Sequence, residues 1–288
     1  MMKQQQLIVC LVATVFLLGA CDEVNGPYRD PNSYGNSGGP TGDRVQKIVL
    51  EEFTGFRCRT CPAATELAQD IKSRNEDQVI LISVHSGFFA ETGSANSPFT
   101  YDFRTPVGDE LDSKFDVNAP GTPNALINRM DFNNSKVVAP GDWRSSVTSL
   151  LEQDAPMMIE VSSDYDESSN EVSVDATITY FENGGANDYV AVYLVENNFV
   201  QVQVDERKNP NIVENYVHQH VLRASFNGTW GEPVAASAAA AGDEIEKSWT
   251  LTIDPAEWNP DELEVIVMVH DFQGTHRILQ AEAAHVGE

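Results

Sequence analysis

The chain has 288 residues, 18 basic and 44 acidic side chains, and a formal net charge of −26. So acidic a polypeptide repels phosphate backbones and anionic headgroups, which excludes nucleic acid as a partner and a basic surface as a means of membrane attachment. A soluble, non-sticky surface is the plain account of the charge, with cation binding left open.

Met1-Met2-Lys3 is a short positive start, and an almost unbroken apolar run follows from Leu7 to Ala20. The run is short for a bilayer span and ends in small residues, as the core of a signal peptide does. It closes as Leu17-Leu18-Gly19-Ala20-Cys21. That order resembles the bacterial lipobox, in which a peptidase cuts before a cysteine carrying a diacylglycerol thioether. The resemblance implies a lipoprotein signal peptide over 1–20 and a lipid anchor at Cys21, whose two or three acyl chains suffice for stable attachment to a membrane. An ordinary signal peptide followed by a chance cysteine is the rival reading. Asp22 and Glu23 resemble the surface-export signals of some Gram-negative lipoproteins, and equally suit a solvated linker. Residues 21–45 are rich in Gly, Asn, Pro and Ser and nearly free of apolar side chains. They cannot bury enough surface to offset ordering entropy, so they read as a flexible tether.

The remaining length suits two domains. In the first, expected over 46–155, Lys47–Phe53 is a β-branched and apolar run that reads as a buried strand. Cys58 is expected to open a helix reaching about Ser73, with Ala63, Ala64, Leu67, Ala68 and Ile71 at helical spacing and Pro62 in the first turn. Val79–Val84 reads as a second buried strand, giving a β-α-β unit with a parallel pair. An insertion from about Ser86 to Asp116 follows, with a helix near Val107–Phe115. After Gly121-Thr122-Pro123 come a strand over Asn124–Asn128 and a helix from Asp142 to about Asp154.

From residue 156 to 288 the texture changes to alternating segments. These are Met158–Val161, Glu171–Ile178, Tyr189–Val195, Lys247–Ile253 and Leu263–Val269. Period-two strands separated by Asn, Gly and Asp turns argue for an all-β antiparallel, Ig-like sandwich. Trp230, Trp249 and Trp258 are expected in its core or at its edge.

With Cys10 in the signal peptide and Cys21 carrying lipid, Cys58 and Cys61 are the only free thiols expected in the mature chain, in an oxidising compartment. A disulfide between such near neighbours closes a tiny loop and constrains the unfolded chain little, so a purely structural staple is a poor account of it. Zinc is a poor rival, since one Cys-x-x-C with no second pair nearby supplies two ligands. A thiolate at a helix N-terminus meets unpaired N–H groups and the positive end of the dipole, which makes the thiol more acidic, and Arg57 and Arg59 flank Cys58. Cys58 is therefore the candidate attacking thiol and Cys61 the resolving one.

Strand, turn, Cys-x-x-C, helix, second strand and a later Thr-Pro before a strand resemble the thioredoxin plan. The resemblance implies an α/β thioredoxin-like domain in which Glu52, six residues before Cys58, accepts the resolving thiol's proton. It further implies a cis bond before Pro123 that places Thr122 against the disulfide. The alternatives stay open: Glu52 facing solvent, since strand alternation says only that Glu51 and Glu52 point opposite ways, and Thr-Pro as a plain turn. The sequence departs from the plan in having Arg57 where a tryptophan is usual, and in the insertion, which can cover the substrate groove. No cofactor is implied.

Together with Asn215–Arg223, in which His218-Gln219-His220 precedes Val221-Leu222-Arg223, these features are similar to the Omp-28-related outer-membrane lipoproteins, whose resemblance implies an outer-membrane location. On a strand, His218 and His220 would share one face, with hydrogen bonding the simpler reading and a metal site the other. Two functions follow: a membrane-tethered thiol–disulfide oxidoreductase acting on exported proteins or small thiols, or a non-catalytic binding or architectural lipoprotein working through its sandwich. An accessible Cys58 favours the first and a covered one the second.

Overall fold

The computed structural model describes residues 44–75 and 78–287. The signal peptide, the anchor at Cys21 and nearly all of the tether lie outside the described residues. β1 (Ile48–Thr54) and β2 (Val79–His85) are buried along their whole length and pair in parallel, Ile48 opposite Val79, with α1 (Cys61–Ser73) crossing between them. The helix begins at Cys61, three residues later than expected at Cys58. Pro62 is the reason: in a helix opened by Cys58 its nitrogen would have to donate to the Cys58 carbonyl, and proline has no N–H. Cys58 belongs instead to a turn in which its N–H donates to the Gly55 carbonyl at 2.9 Å.

A single 3-10 turn at Phe88–Ala90 leads to α2 (Pro106–Phe115), whose first turn is capped by the Thr105 hydroxyl accepting from the Gly108 N–H. β3 (Asn124–Ile127) runs antiparallel to β1, and the two-residue β4 (Val137–Val138) antiparallel to β3. α3 (Pro140–Thr148) stops short of Asp154, where the chain forms a bridge with Val45 and Ala155 donates to the Arg44 carbonyl. One face of this β2-β1-β3-β4 region packs Ile48, Leu50 and Leu81 against α1 and α3, with Trp143 at the centre. The other face packs Val49, Phe53 and Ile82 against Val107 and Leu111 of α2.

Beyond residue 155 come β5 (Met157–Asp166), β6 (Glu171–Tyr180), β7 (Asp188–Glu196), β8 (Phe199–Val204), β9 (Ile212–His218), β10 (Val221–Ser225), the short β11 (Glu232–Pro233), β12 (Glu244–Thr252), β13 (Leu263–Asp271) and β14 (Ile278–His285). The chain is thus mostly β, and its main sheet is mixed. Nine strands join in it, in the order β14-β13-β7-β10-β2-β1-β3-β4 with β11 on β7. Strands from both sides of residue 155 therefore share one sheet, stitched where Ser83 of β2 receives the chain at His220 and Val221.

Alternation in β7 and β13 sends side chains into two different cores. Val190, Val192, Leu194, Val265 and Val267 meet the separate β12-β6-β5 sheet, while Ala191, Tyr193, Val195, Ile266 and Met268 face the α2 side. Trp249 lies in the first of these cores. β8 and β9 form an isolated two-stranded ribbon. Among the described residues no helix is long and apolar enough to cross a membrane.

Candidate functional site at Cys58 and Cys61

Cys58 and Cys61 form a disulfide at the start of α1. The Cys61 N–H, one of the free donors of the helix terminus, points at the Cys58 sulfur at 3.2 Å, and the Thr60 hydroxyl lies 3.7 Å from it. These donors favour negative charge on Cys58. The Thr122–Pro123 bond is cis, and the Thr122 carbonyl oxygen sits 3.9 Å from the Cys58 sulfur. Arg57 and Arg59 are engaged elsewhere. Arg57 donates to the Glu91 carbonyl and lies over the Phe88 ring, and Arg59 pairs with Glu206 at 3.6 Å.

Both strand glutamates are buried, on opposite faces of β1. Glu52 points to the α1 side and accepts from the Thr65 hydroxyl at 2.8 Å. Thr65 follows Cys61 by four residues, so the two share a helix face, and the carboxyl lies under that face at Thr65. Burial pushes the Glu52 pKa up to about 8, the Thr65 hydrogen bond opposing the rise. Glu51 points the other way and is clamped by Arg129, which lies at 2.9 Å and 2.6 Å from its two oxygens. Of the two carboxylates, Glu52 is thus the one that lies on the α1 side of β1, hydrogen-bonded to Thr65 of that helix.

The disulfide is covered: Cys58 is 2% exposed and Cys61 1%. The insertion contributes on one side, where the Arg57 N–H donates to the Phe89 carbonyl. Gly55 allows that approach, because a Cβ there would stand 2.5 Å from the Phe89 carbonyl carbon. The larger cover comes from the β8–β9 ribbon. Buried Gln203 donates to the carbonyls of Cys58 at 2.9 Å and Gly55 at 3.4 Å, Val204 donates to Phe56, and Glu206 donates to Arg59. Arg207 reaches across to Glu66 of α1 at 2.6 Å. Gln203 thus fills the role at the Cys58 carbonyl that Pro62 cannot.

Gln203→Ala is expected to destabilise the protein by about 1–3 kcal/mol, because it takes the side-chain donor from the buried Cys58 carbonyl. It is also expected to speed reduction of the disulfide by dithiothreitol by about tenfold, since opening of this loop limits access. Alkylation of freed thiols against time measures the rate. An unchanged rate would show that the ribbon is not the barrier.

Sequence reasoning missed Gln203 and His85, and it paired His218 with His220 on one strand face. His218 ends β9 while His220 sits in the following turn with a left-handed φ of 53°, so the two do not share a strand face. His218 is buried beside His85, with ring centroids 5.6 Å apart, and His220 instead lies 3.8 Å from Glu264. The alternation Phe199-Val200-Gln201-Val202-Gln203-Val204 was a legible strand signal for β8. Nothing local separates Gln203, which is buried, from Gln201, which is half-buried.

The family model described as outer membrane protein Omp28 matches residues 108–288, more than half of the chain. The matched stretch begins after Cys58 and Cys61, so it carries no inference about the disulfide. Among solved structures, HBP35 of Porphyromonas gingivalis is similar at 16% identity and a TM-score of 0.63, over 86% of this chain and 77% of that one. A protein from Agrobacterium tumefaciens is similar at 17% identity and a TM-score of 0.50, over 86% of this chain and 97% of that one. At such identities the likeness concerns the fold alone. No curated protein matches the chain.

Proposed function

The chain belongs to the Omp28 family of outer membrane proteins, and from that premise we propose that it is a lipoprotein, held at the outer membrane by acyl chains on Cys21, whose Cys58–Cys61 pair exchanges disulfides with exported proteins or small thiols. The observation that carries this reading is the arrangement around the first turn of α1. A disulfide whose first sulfur receives a helix-terminal N–H stands over a buried carboxyl that keeps its proton up to about pH 8. The strand order β2-β1-β3-β4, with α1 and α3 on one face and α2 on the other, supports a thioredoxin-like scaffold, as does the Thr122–Pro123 bond beside Cys58.

In the chemistry this supports, a substrate thiolate attacks the Cys58 sulfur and the Cys58–Cys61 bond breaks. Cys61 leaves as a thiolate and takes the proton of Glu52. A second substrate thiolate then attacks the mixed disulfide, so that oxidised substrate departs and Cys58 leaves as a thiolate that is protonated from solvent. Two electrons pass from the substrate dithiol to the protein disulfide, and the reverse sequence reduces a substrate disulfide. Both directions need the cover over Cys58 to open first. That cover is also the one observation favouring a second reading, in which the pair is inert and the β-rich half does the work as a binding surface.

Titration of the full-length protein in dithiol redox buffers, with free thiols trapped by alkylation, separates the two. Catalytic dithiols lie between roughly −120 and −270 mV and structural disulfides below about −300 mV. The exchange reading expects a value in the upper window, with Cys58 trapped faster than Cys61. A value below the window, or thiols that react only after denaturation, overturns it.

A further inference from the structure

Three ring nitrogens, Nδ1 and Nε2 of His85 and Nε2 of His218, lie buried together without a well-formed hydrogen bond among the described residues, the Ser83 backbone being the polar neighbour of His85. The histidines end β2 and β9, and Phe103 packs against both, with centroids 4.3 Å from His85 and 4.8 Å from His218. An unpaired buried polar atom costs about 1–3 kcal/mol, so three in one place ask for a partner. A cavity of about 10 Å³ is walled by His85, His218, Tyr216, Gln203 and Thr65. Its size is that of one water and too small for an organic ligand, and its walls offer several polar atoms.

Thr65 ties this cavity to Glu52, to which its hydroxyl donates at 2.8 Å. Tyr216 is close enough to feel the charge of Glu52. On the outer side, Tyr216 and Gln219 are half-exposed, whereas the mouth over the disulfide is closed by Gln203 and the ribbon.

We propose that this cavity, with a water held between His85, His218, Tyr216 and Thr65, is the route by which Glu52 exchanges its proton with solvent. The inference deepens the exchange reading and rests on its assignment of Glu52 as proton donor to Cys61. When the disulfide is reduced, Glu52 loses one proton to the Cys61 thiolate and the route returns one from bulk water; when the pair is re-oxidised, the Cys61 proton leaves through Glu52 by the same route. Burial drives both histidines to neutrality, His218 down to about 4 and His85 well below its ordinary value. A neutral imidazole carries one donor and one acceptor, so it can take a proton at one nitrogen and release it at the other. Arg223 from β10 and His218 both disfavour positive charge on His85, so a passing proton is not stored there. The other charged groups facing this wall are Glu66 on α1 and Asp205 and Arg207 beyond β8, all of which act on Tyr216. His85 and His218 are thus positioning residues for Glu52.

A pH jump from below to above the Glu52 midpoint, followed by infrared absorption of its protonated carboxyl in the full-length protein, tests this directly. The band is assigned by its absence in Glu52→Gln. Positioned proton-transfer groups contribute about 10²–10⁴-fold to a rate, so His218→Phe and His85→Phe are expected to slow loss of the band by at least about tenfold. Their midpoint should stay near that of the parent. Thr65→Val, which exchanges the hydroxyl for a methyl group of similar size, guards against misfolding of the histidine variants: it too should slow the decay, and should raise the midpoint by losing a bond to the ionised carboxylate. Equal rates in the parent and all three variants overturn the proposal, as does a change of midpoint without slowing in the histidine variants. The readout needs no thiol chemistry. An inert potential with slowed decay therefore sinks the exchange reading alone, and a catalytic potential with equal rates sinks the proton route alone.

Discussion

Arg129→Met is expected to destabilise the protein by about 3–5 kcal/mol, the magnitude seen when one member of a buried ion pair is removed and its partner is left charged in a dry interior. Neither Arg129 nor Glu51 has exposed side-chain surface, and the guanidinium grips both carboxylate oxygens. Removing the cation leaves Glu51 to take up a proton or to ionise among Phe53, Tyr193 and Met268, each unfavourable at neutral pH. The geometry depends on the end of β3, where Asn128 and Arg129 are left-handed at φ 44° and 49°. Asn128 holds that turn, its side chain accepting from the Val49 N–H at 2.7 Å and donating to the Lys47 carbonyl. The Arg129 head then reaches Tyr193 of β7 and Met268 of β13, joining strands from both halves of the chain. Urea denaturation measures the loss. The double replacement Glu51→Leu with Arg129→Met should recover most of it, because a buried pair exchanged for apolar side chains is near neutral. A loss below about 1 kcal/mol for the single variant would show that the pair is not dry.

Glu52→Gln is expected to stabilise the protein at neutral pH by about 3 kcal/mol, and the gain should vanish in acid. The folded chain holds the Glu52 proton up to about 8, whereas the unfolded carboxyl releases it near 4.5. The folded state binds the proton more tightly, so the stability linked to it is complete below 4.5 and is lost as pH rises through 8. Glutamine, which never ionises and still accepts from Thr65, escapes that loss. His85, His218 and His270 act with the opposite sign, since burial lowers all three: their stability is present above the ordinary 6.5 and is lost as pH falls toward the folded values. They are common to both proteins and cancel in the difference. Urea midpoints of parent and variant from pH 4 to pH 8 give the comparison. A gap that does not widen across the window in which Glu52 titrates would mean that Glu52 is solvated and its pKa ordinary.

The elements around the disulfide were legible because each is announced by local chemistry. Ile48–Phe53, apart from Glu51 and Glu52, and Val79–Val84, apart from Ser83, are apolar on both faces, as a doubly covered strand is, and Ala64, Ala68 and Ile71 repeat at helical spacing. Thr122-Pro123 could be read as a cis turn against Cys58 only through a family likeness, and the structure places it there. The helix start was misread by three residues even though Pro62 carried the information, because the missing N–H matters only once the partner carbonyl is named.

By itself, then, the sequence determined the strand–helix–strand unit, the nearness of Cys58 to Cys61, the opposite facing of Glu51 and Glu52, and the alternating texture beyond residue 155. All of these are relations between residues a few positions apart, which backbone geometry converts directly into a shared or opposed face. Only the tertiary structure decided that both glutamates are buried and that Arg129 neutralises one of them. It also decided that Gln203, from β8, closes the Cys58 carbonyl, that His85 and His218 share a cavity, and that one mixed sheet takes strands from both sides of residue 155. These contacts join residues tens to more than a hundred positions apart. A polar side chain's local spacing is the same whether its partner is water or another strand, so the identity of that partner leaves no periodic trace in the chain.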